Sequence, residues 1–246
     1  VLDRAHNFYN DLARKEEFEP QVLSFLNPDS TLDIREDFKK TIQMIVDNQD
    51  KGYLSFITCN HDTMRPTAYL KGRELKLFFF IVLTLPGVPF IYYGDEIGMR
   101  YQKDIPSKEC GYARTGSRTP MAWNMNENQG FSPLSTVEPF LPIDGETSVE
   151  KEEQEESSLH HFARQMIEIR KNDENLLGNH IAYFETNHPR LLAYYRNQDL
   201  IIVNPTKEAI SLALQEEHEL IWCDGEMEYD KMNIVIGAKT CCILRR

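Results

Sequence analysis

Two short apolar runs limit what this chain can become. Tyr53–Cys59 (YLSFITC) and Val88–Tyr93 (VPFIYY) are rich in strand formers, lack polar–apolar alternation, and stop abruptly on Asn60-His61-Asp62 and Gly94-Asp95-Glu96. A strand that is apolar on both faces has to be covered on both, which is the situation of a parallel sheet flanked by helices. The spacing predicts such a helix between the two runs, from Arg73 to Leu85, ended by Pro86-Gly87. Another amphipathic helix precedes them, signalled by Asp33 with Glu36 three residues on and by Phe38, Ile42, Ile45 and Val46. Helix, strand, helix, strand is the order of a parallel α/β sheet, either open or closed into a barrel. Functional groups in such sheets sit where strands end, so the two polar clusters are the places to look for chemistry. Both clusters also have a plain structural use: an Asx residue after a strand caps the next helix, and Gly-Asp-Glu makes a turn and a helix start.

The rest of the chain changes character twice. Residues 100–157 carry several Gly and Pro and read as irregular, with Glu150–Glu156 (EKEEQEE) a solvated acidic stretch or helix start. A helix from Ser158 to Lys171 follows. Past His180 come seven short runs (IAYFET, LLAYYRN, LIIVNPT, ISLALQ, ELIWC, NIVIG, CCILR) separated by turn residues, the rhythm of a small antiparallel β-sandwich domain. The expected division is therefore residues 1–178 for the α/β part and 179–246 for the antiparallel domain. An eight-stranded (β/α) barrel takes about 250 residues, and only two parallel strands are legible before the antiparallel runs begin, so the α/β part is expected to be incomplete. Helical spacing among many charges at Leu2–Phe25, and an opening Val-Leu-Asp-Arg in place of Met, agree with an N-terminal part lying elsewhere.

Charge removes several function classes. With 39 acidic against 27 basic residues the net charge is -12, which repels polyanions and argues against nucleic acid. No run reaches the roughly 20 apolar residues of a membrane helix; the longest, Leu77–Leu83, is core-sized. The five cysteines (Cys59, Cys110, Cys223, Cys241, Cys242) form an odd set without metal-ligand spacing and are expected to be reduced, as in cytoplasm. His160-His161 lie on different faces of the expected helix, which suits a structural or solvated role rather than a metal. Glu16, Glu17 and Glu19 read as a surface charge run.

Three segments, taken in order, say more than their spacing does. Phe56–Arg65 (FITCNHDTMR), Leu85–Met99 (LPGVPFIYYGDEIGM) and Gly116–Trp123 (GSRTPMAW) resemble successive motifs of the α-amylase superfamily of glycoside hydrolases. The third is similar to the signature of the oligo-1,6-glucosidase, α-glucosidase and trehalose synthase-like branch, with Ala122 and Asn124 where Gln and Asp are usual. The resemblance implies the C-terminal part of a (β/α)8 TIM barrel followed by that antiparallel domain. It implies a covalent retaining reaction on α-linked glucose oligosaccharides. In that scheme two carboxyls about 5 Å apart act as nucleophile and acid/base, while Asp62 matches a third carboxylate that grips sugar hydroxyls and stabilises the positively charged transition state. His61, Arg114 and Arg65 are the matching substrate-binding candidates, and Asp62 is expected to point into a sugar pocket. Tyr93 to Glu96 match the end of the last barrel strand and are architectural, and the loop around Arg118 packs over the site.

In the family the nucleophile and the acid/base residue precede anything seen here, so the chain alone is expected to be inactive. It is then either completed by association with a missing N-terminal part, self-associated, or a non-catalytic carbohydrate-binding remnant. No nicotinamide or flavin cofactor is implied, and the ligands of the calcium that occurs in relatives lie outside this segment.

Overall fold

The structure, a computed structural model, describes residues 25–103, 105, 115–132, 142 and 144–246. The run of helical spacing before Phe25, Glu16, Glu17, Glu19, Cys110 and Arg114 lie outside them. Backbone proximity divides the chain into two compact units. One gathers the described residues up to Phe56 with Leu77–Pro89 and Glu168–Arg246; the other gathers Ile57–Lys76 and Phe90–Ile167.

Helix α1 (Arg35–Val46) buries Ile42 and Ile45, as its periodicity requires. It starts a residue later than a cap at Asp33 would place it: the carboxylate of Asp33 accepts the amide of Arg35 at 3.1 Å and holds the Arg35 guanidinium. Strands β1 (Ser55–Ile57) and β2 (Val88–Phe90) form a two-stranded sheet. Val88 donates to Leu54 at 2.8 Å and Thr58 donates to Phe90 at 3.0 Å, so partners advance together along both strands, which is the parallel arrangement. Helix α2 (Arg73–Thr84) makes the connection. Gly87, at φ +99°, has no alternative there: a Cβ would sit 2.2 Å from the Leu54 carbonyl oxygen.

Both strands are shorter and more open than their composition suggests. Fully buried strands were expected; Val88 is 42% and Phe90 54% exposed. A strand with one neighbour keeps an open edge, and two strands do not cover each other's faces. Helix α2 is the reverse case. Every residue from Leu75 to Leu83 except Lys76 is buried, the mark of a helix packed all round rather than along one stripe.

A helix end buried in this way leaves carbonyls that need donors. Two arginines supply them. Arg170, on helix α4, donates to the carbonyls of Leu83, Leu85 and Gly87 at 2.6, 2.9 and 2.7 Å. Helix α4 spans Leu159–Asn172, after the short helix α3 at Val149–Gln154. Arg196 is fully buried and donates to the carbonyls of Thr84, His180, Leu176 and Gly178, thus closing both α2 and helix α5 (Glu174–Leu177). Burial pushes the Arg196 guanidinium down to about 10, still charged at neutral pH. Thr84 and Tyr194 share a hydroxyl contact of 2.6 Å in the same place.

The C-terminal segment folds into eight strands: β3 (Ala182–Tyr183), β4 (Leu192–Arg196), β5 (Asp199–Asn204), β6 (Ile210–Ala213), β7 (Glu219–Asp224), β8 (Met227–Tyr229), β9 (Asn233–Ile236) and β10 (Thr240–Arg245). They make a five-stranded sheet in the order β3-β4-β5-β10-β7 and a three-stranded sheet β6-β9-β8, with antiparallel pairing throughout. Side chains from both sheets, among them Leu200, Ile202, Ile210, Leu212, Ile236 and Leu244, share one core. Seven strands were expected; the eighth, β8, is three residues long. Asn204 ties the sheets locally, donating to Glu208, Ile236 and Gly237 while its carbonyl oxygen accepts from Thr206.

Lysine cannot reproduce a planar fork aimed at four carbonyls. Arg196→Lys is therefore expected to lower unfolding free energy by about 2–4 kcal/mol, read from urea denaturation. A loss below about 0.5 kcal/mol, the ordinary effect of a surface substitution, would show that the carbonyls find water instead.

Candidate active site

The polar clusters after β1 and β2 meet in the second unit, and a buried arginine joins them. Arg65 is fully buried. Its Nη1 donates to the Tyr93 carbonyl at 2.7 Å and to the Asp95 carboxylate at 2.8 Å, and its Nη2 donates to the Ser117 carbonyl at 3.1 Å. The guanidinium carbon lies 5.0 Å from the ring centres of both Tyr92 and Tyr93, a cation–π setting. The other Asp95 oxygen accepts the Thr58 hydroxyl at 2.6 Å. Burial pushes the Asp95 carboxyl up, and the adjacent Arg65 and Thr58 pull it back. The thiol of Cys59, next along the chain from Thr58, is pushed up by burial first and by Asp95 second.

The same three segments are joined at a second level. Ser117 donates its hydroxyl to the Thr63 carbonyl at 2.5 Å, and Tyr93 donates its hydroxyl to the Thr119 carbonyl at 2.7 Å. Gly94, at φ +83°, lets the chain turn directly after Tyr93; a Cβ there would meet the Met99 sulfur at 2.2 Å. Segments 60–65, 93–95 and 115–119 therefore form one hydrogen-bonded frame.

Asp62 stands on this frame. Asn60 accepts the Asp62 amide at 2.8 Å and bonds Thr63, an Asx turn that fixes the backbone between them. The Asp62 carboxylate accepts from Nη2 of Arg118 at 3.0 Å and lies 3.3 Å from Nε2 of His61. Arg118 also donates from Nε to the His61 carbonyl at 2.8 Å. One guanidinium thus holds both the backbone and the carboxylate of the turn. The side chains of His61 and Asp62 are 63% and 50% exposed, so both present polar atoms to solvent.

Of the residues singled out from sequence, His61 and Asp62 come together. Arg65 does not join them: its side chain has no exposed atom with which to touch a sugar, and three protein acceptors take its forks. Arg114 lies outside the described residues. A concavity of about 540 Å³ in the same unit is lined by other side chains, including Arg73, Lys76, Ile97, Arg100, Asp144 and Glu152. Arg118 is the residue whose direct contact with Asp62 was not anticipated. Its signal was present, an arginine in the third motif, but 56 residues separate the partners. Among the described residues no group of three or more His, Cys, Asp or Glu side chains converges as a metal site would, and no helix is long and apolar enough to cross a membrane.

The family model described as the alpha amylase catalytic domain matches residues 6–179. The chain belongs to the α-amylase family. Trehalose-6-phosphate hydrolase of Bacillus subtilis (strain 168) is 28% identical over 193 residues, covering 62% of this chain and 34% of that protein. Oligo-1,6-glucosidase of Bacillus cereus is 25% identical over 233 residues, covering 78% of this chain and 41% of its own length. The crystal structure of the α-amylase from H. orenii superposes with a TM-score of 0.70 at 25% identity, covering 92% of this chain and 46% of that one. This member of the family thus spans less than half the length of the relatives it matches.

Glu96 gives a pH test of the frame. Burial pushes its carboxyl above the ordinary range, and its Oε2 is buried without a hydrogen-bond partner. A carboxyl whose folded pKa is raised stabilises the fold while protonated; that contribution is complete below the unfolded value and is lost as pH rises through the folded one. Glu96→Gln, always neutral, is expected to be more stable than the parent near pH ~7, with the difference shrinking towards pH ~4. Urea midpoints at the two values check this; equal midpoints near neutrality would contradict it.

Proposed function

We propose that this chain is the C-terminal portion of a retaining α-glucoside hydrolase or transglucosidase, with the barrel's last strands in residues 1–178 and an antiparallel β-sandwich in 179–246. Asp62 is its transition-state-stabilising carboxylate. The observation that carries the reading is the Arg118–Asp62–His61 cluster, a carboxyl group held by the Arg118 guanidinium, set beside an imidazole and open to solvent at the end of a parallel strand. A retaining mechanism develops positive charge at the anomeric carbon as the leaving oxygen is protonated. A carboxylate that is already oriented stabilises that charge without reorganising, and its solvent-facing oxygen accepts hydroxyls of the same ring.

His61 donates to the sugar beside Asp62, and Arg114 contacts hydroxyls of the non-reducing end. Arg65 acts indirectly, by fixing the frame that presents Asp62. The substrate is an α-linked glucose oligosaccharide, a neutral ligand suited to a chain of net charge -12. The nucleophile, the acid/base group and the remaining pocket walls come from a preceding N-terminal part, and the chain as given is inactive alone. The compartment is the cytoplasm, in keeping with Cys59, Cys223, Cys241 and Cys242 standing outside any disulfide in the structure.

The test is glucose release from maltose, isomaltose and trehalose by the full natural gene product. Asp62→Asn is expected to lower kcat by at least 10²–10³-fold, on the order of the loss from one transition-state contact, with the folded spectrum unchanged. Near-parent turnover in that variant would refute the role of Asp62, and turnover by the 246-residue chain alone would refute the missing pair.

A further inference from the structure

Strands β7 and β10 pair with Cys223 directly opposite Cys242. Both side chains face the same way: Cys242 is part of the core shared by the two antiparallel sheets, and Cys223 packs against that core. Neither is in a disulfide. Directly opposed residues of an antiparallel pair have Cα atoms about 4.5–5.5 Å apart, inside the roughly 4.4–6.8 Å that a disulfide spans. One residue further on, Ile243 faces Trp222 but Leu244 faces Leu220, so a bulge at Ile221 gives the edge strand local slack. Cys241 sits on the opposite face of β10, across from Asp224.

We propose that Cys223 and Cys242 are a redox-modification site, converted by a small-molecule disulfide such as oxidised glutathione into a cross-strand disulfide. The half-buried Cys223 gives up its proton, and its thiolate attacks one sulfur of the small disulfide. The small molecule's sulfur–sulfur bond breaks and one thiol leaves, taking a proton. The Cys242 sulfur then attacks the Cys223 sulfur, the mixed disulfide bond breaks as the Sγ–Sγ bond forms, and the Cys242 proton passes to the second small thiolate as it leaves. Two cysteines are oxidised by two electrons in all, and one small disulfide is reduced to two thiols. Burial pushes the Cys242 thiol up, which makes the second step the slow one and leaves Cys223 as the entry point. The product clasps β7, the outer strand of its sheet, with Glu219, Leu220 and Ile221 exposed, onto β10.

The test is incubation of the folded chain with oxidised glutathione, acid quenching, alkylation and tryptic mass spectrometry. Lys231 and Lys239 lie between the two cysteines, so their peptides separate unless a disulfide joins them. The expected result is a joined peptide whose fragment ions assign the bond to Cys223 and Cys242. It persists in Cys241→Ser and Cys110→Ser, is lost in Cys223→Ser, and raises the melting temperature of the oxidised chain. Unmodified thiols, a glutathione adduct that stops at Cys223, or a bond from Cys223 to Cys241 or Cys110 would overturn the proposal.

Discussion

A single buried guanidinium holds the functional end of this chain together. Taking Arg65 out of water is costly, and the Asp95 carboxylate, two main-chain carbonyls and two tyrosine faces compensate for it. Removing one partner of such a pair leaves an uncompensated buried charge, which typically costs about 3–5 kcal/mol. Two of the acceptors lie in segment 93–95 and the third in 115–119, while Arg65 itself ends segment 60–65, so one side chain fixes the mutual position of three loops. The exposed cluster of His61, Asp62 and Arg118 inherits its geometry from that frame. Arg118 belongs to the segment that Arg65 grips through Ser117, and Asp62 precedes Arg65 by three residues.

The other unit uses the same residue type for a different electrostatic task. Arg170 and Arg196 donate to the carbonyls left over at helix ends. Such carbonyls carry the negative end of the helix dipole, so dipoles take up much of the charge. That difference explains why Arg196 is pushed down by burial, whereas Arg245, doubly bonded to Asp199, is pushed up by that bond.

Periodicity made much of the scaffold legible. The apolar runs at 53–59 and 88–93 located the parallel pair, Pro86-Gly87 located the end of α2, and the turn residues past His180 located most of the antiparallel strands. It missed Met227–Tyr229, because three residues after Gly225 and Glu226 carry no alternation to detect. It overstated the burial of β1 and β2, since composition reports what a strand is suited to and not how many neighbours it has. The site was legible only through resemblance to a family: spacing alone left Asn60-His61-Asp62 equally readable as a capped turn, and Asn60 does make that turn. Arg65 was misjudged for a physical reason. An arginine near a strand end looks the same in sequence whether it faces solvent or a buried acid thirty residues further on, and here Asp95 decides.

The central claim, that Arg65 ties three loops into one frame, is tested most directly by amide hydrogen exchange on Arg65→Met under native conditions. A shared frame predicts that exchange rises together in residues 60–65, 93–98 and 115–119, because the segments open as one cooperative unit once their common donor is gone. Faster exchange confined to the neighbours of residue 65, with the other two segments as protected as in the parent, would contradict it.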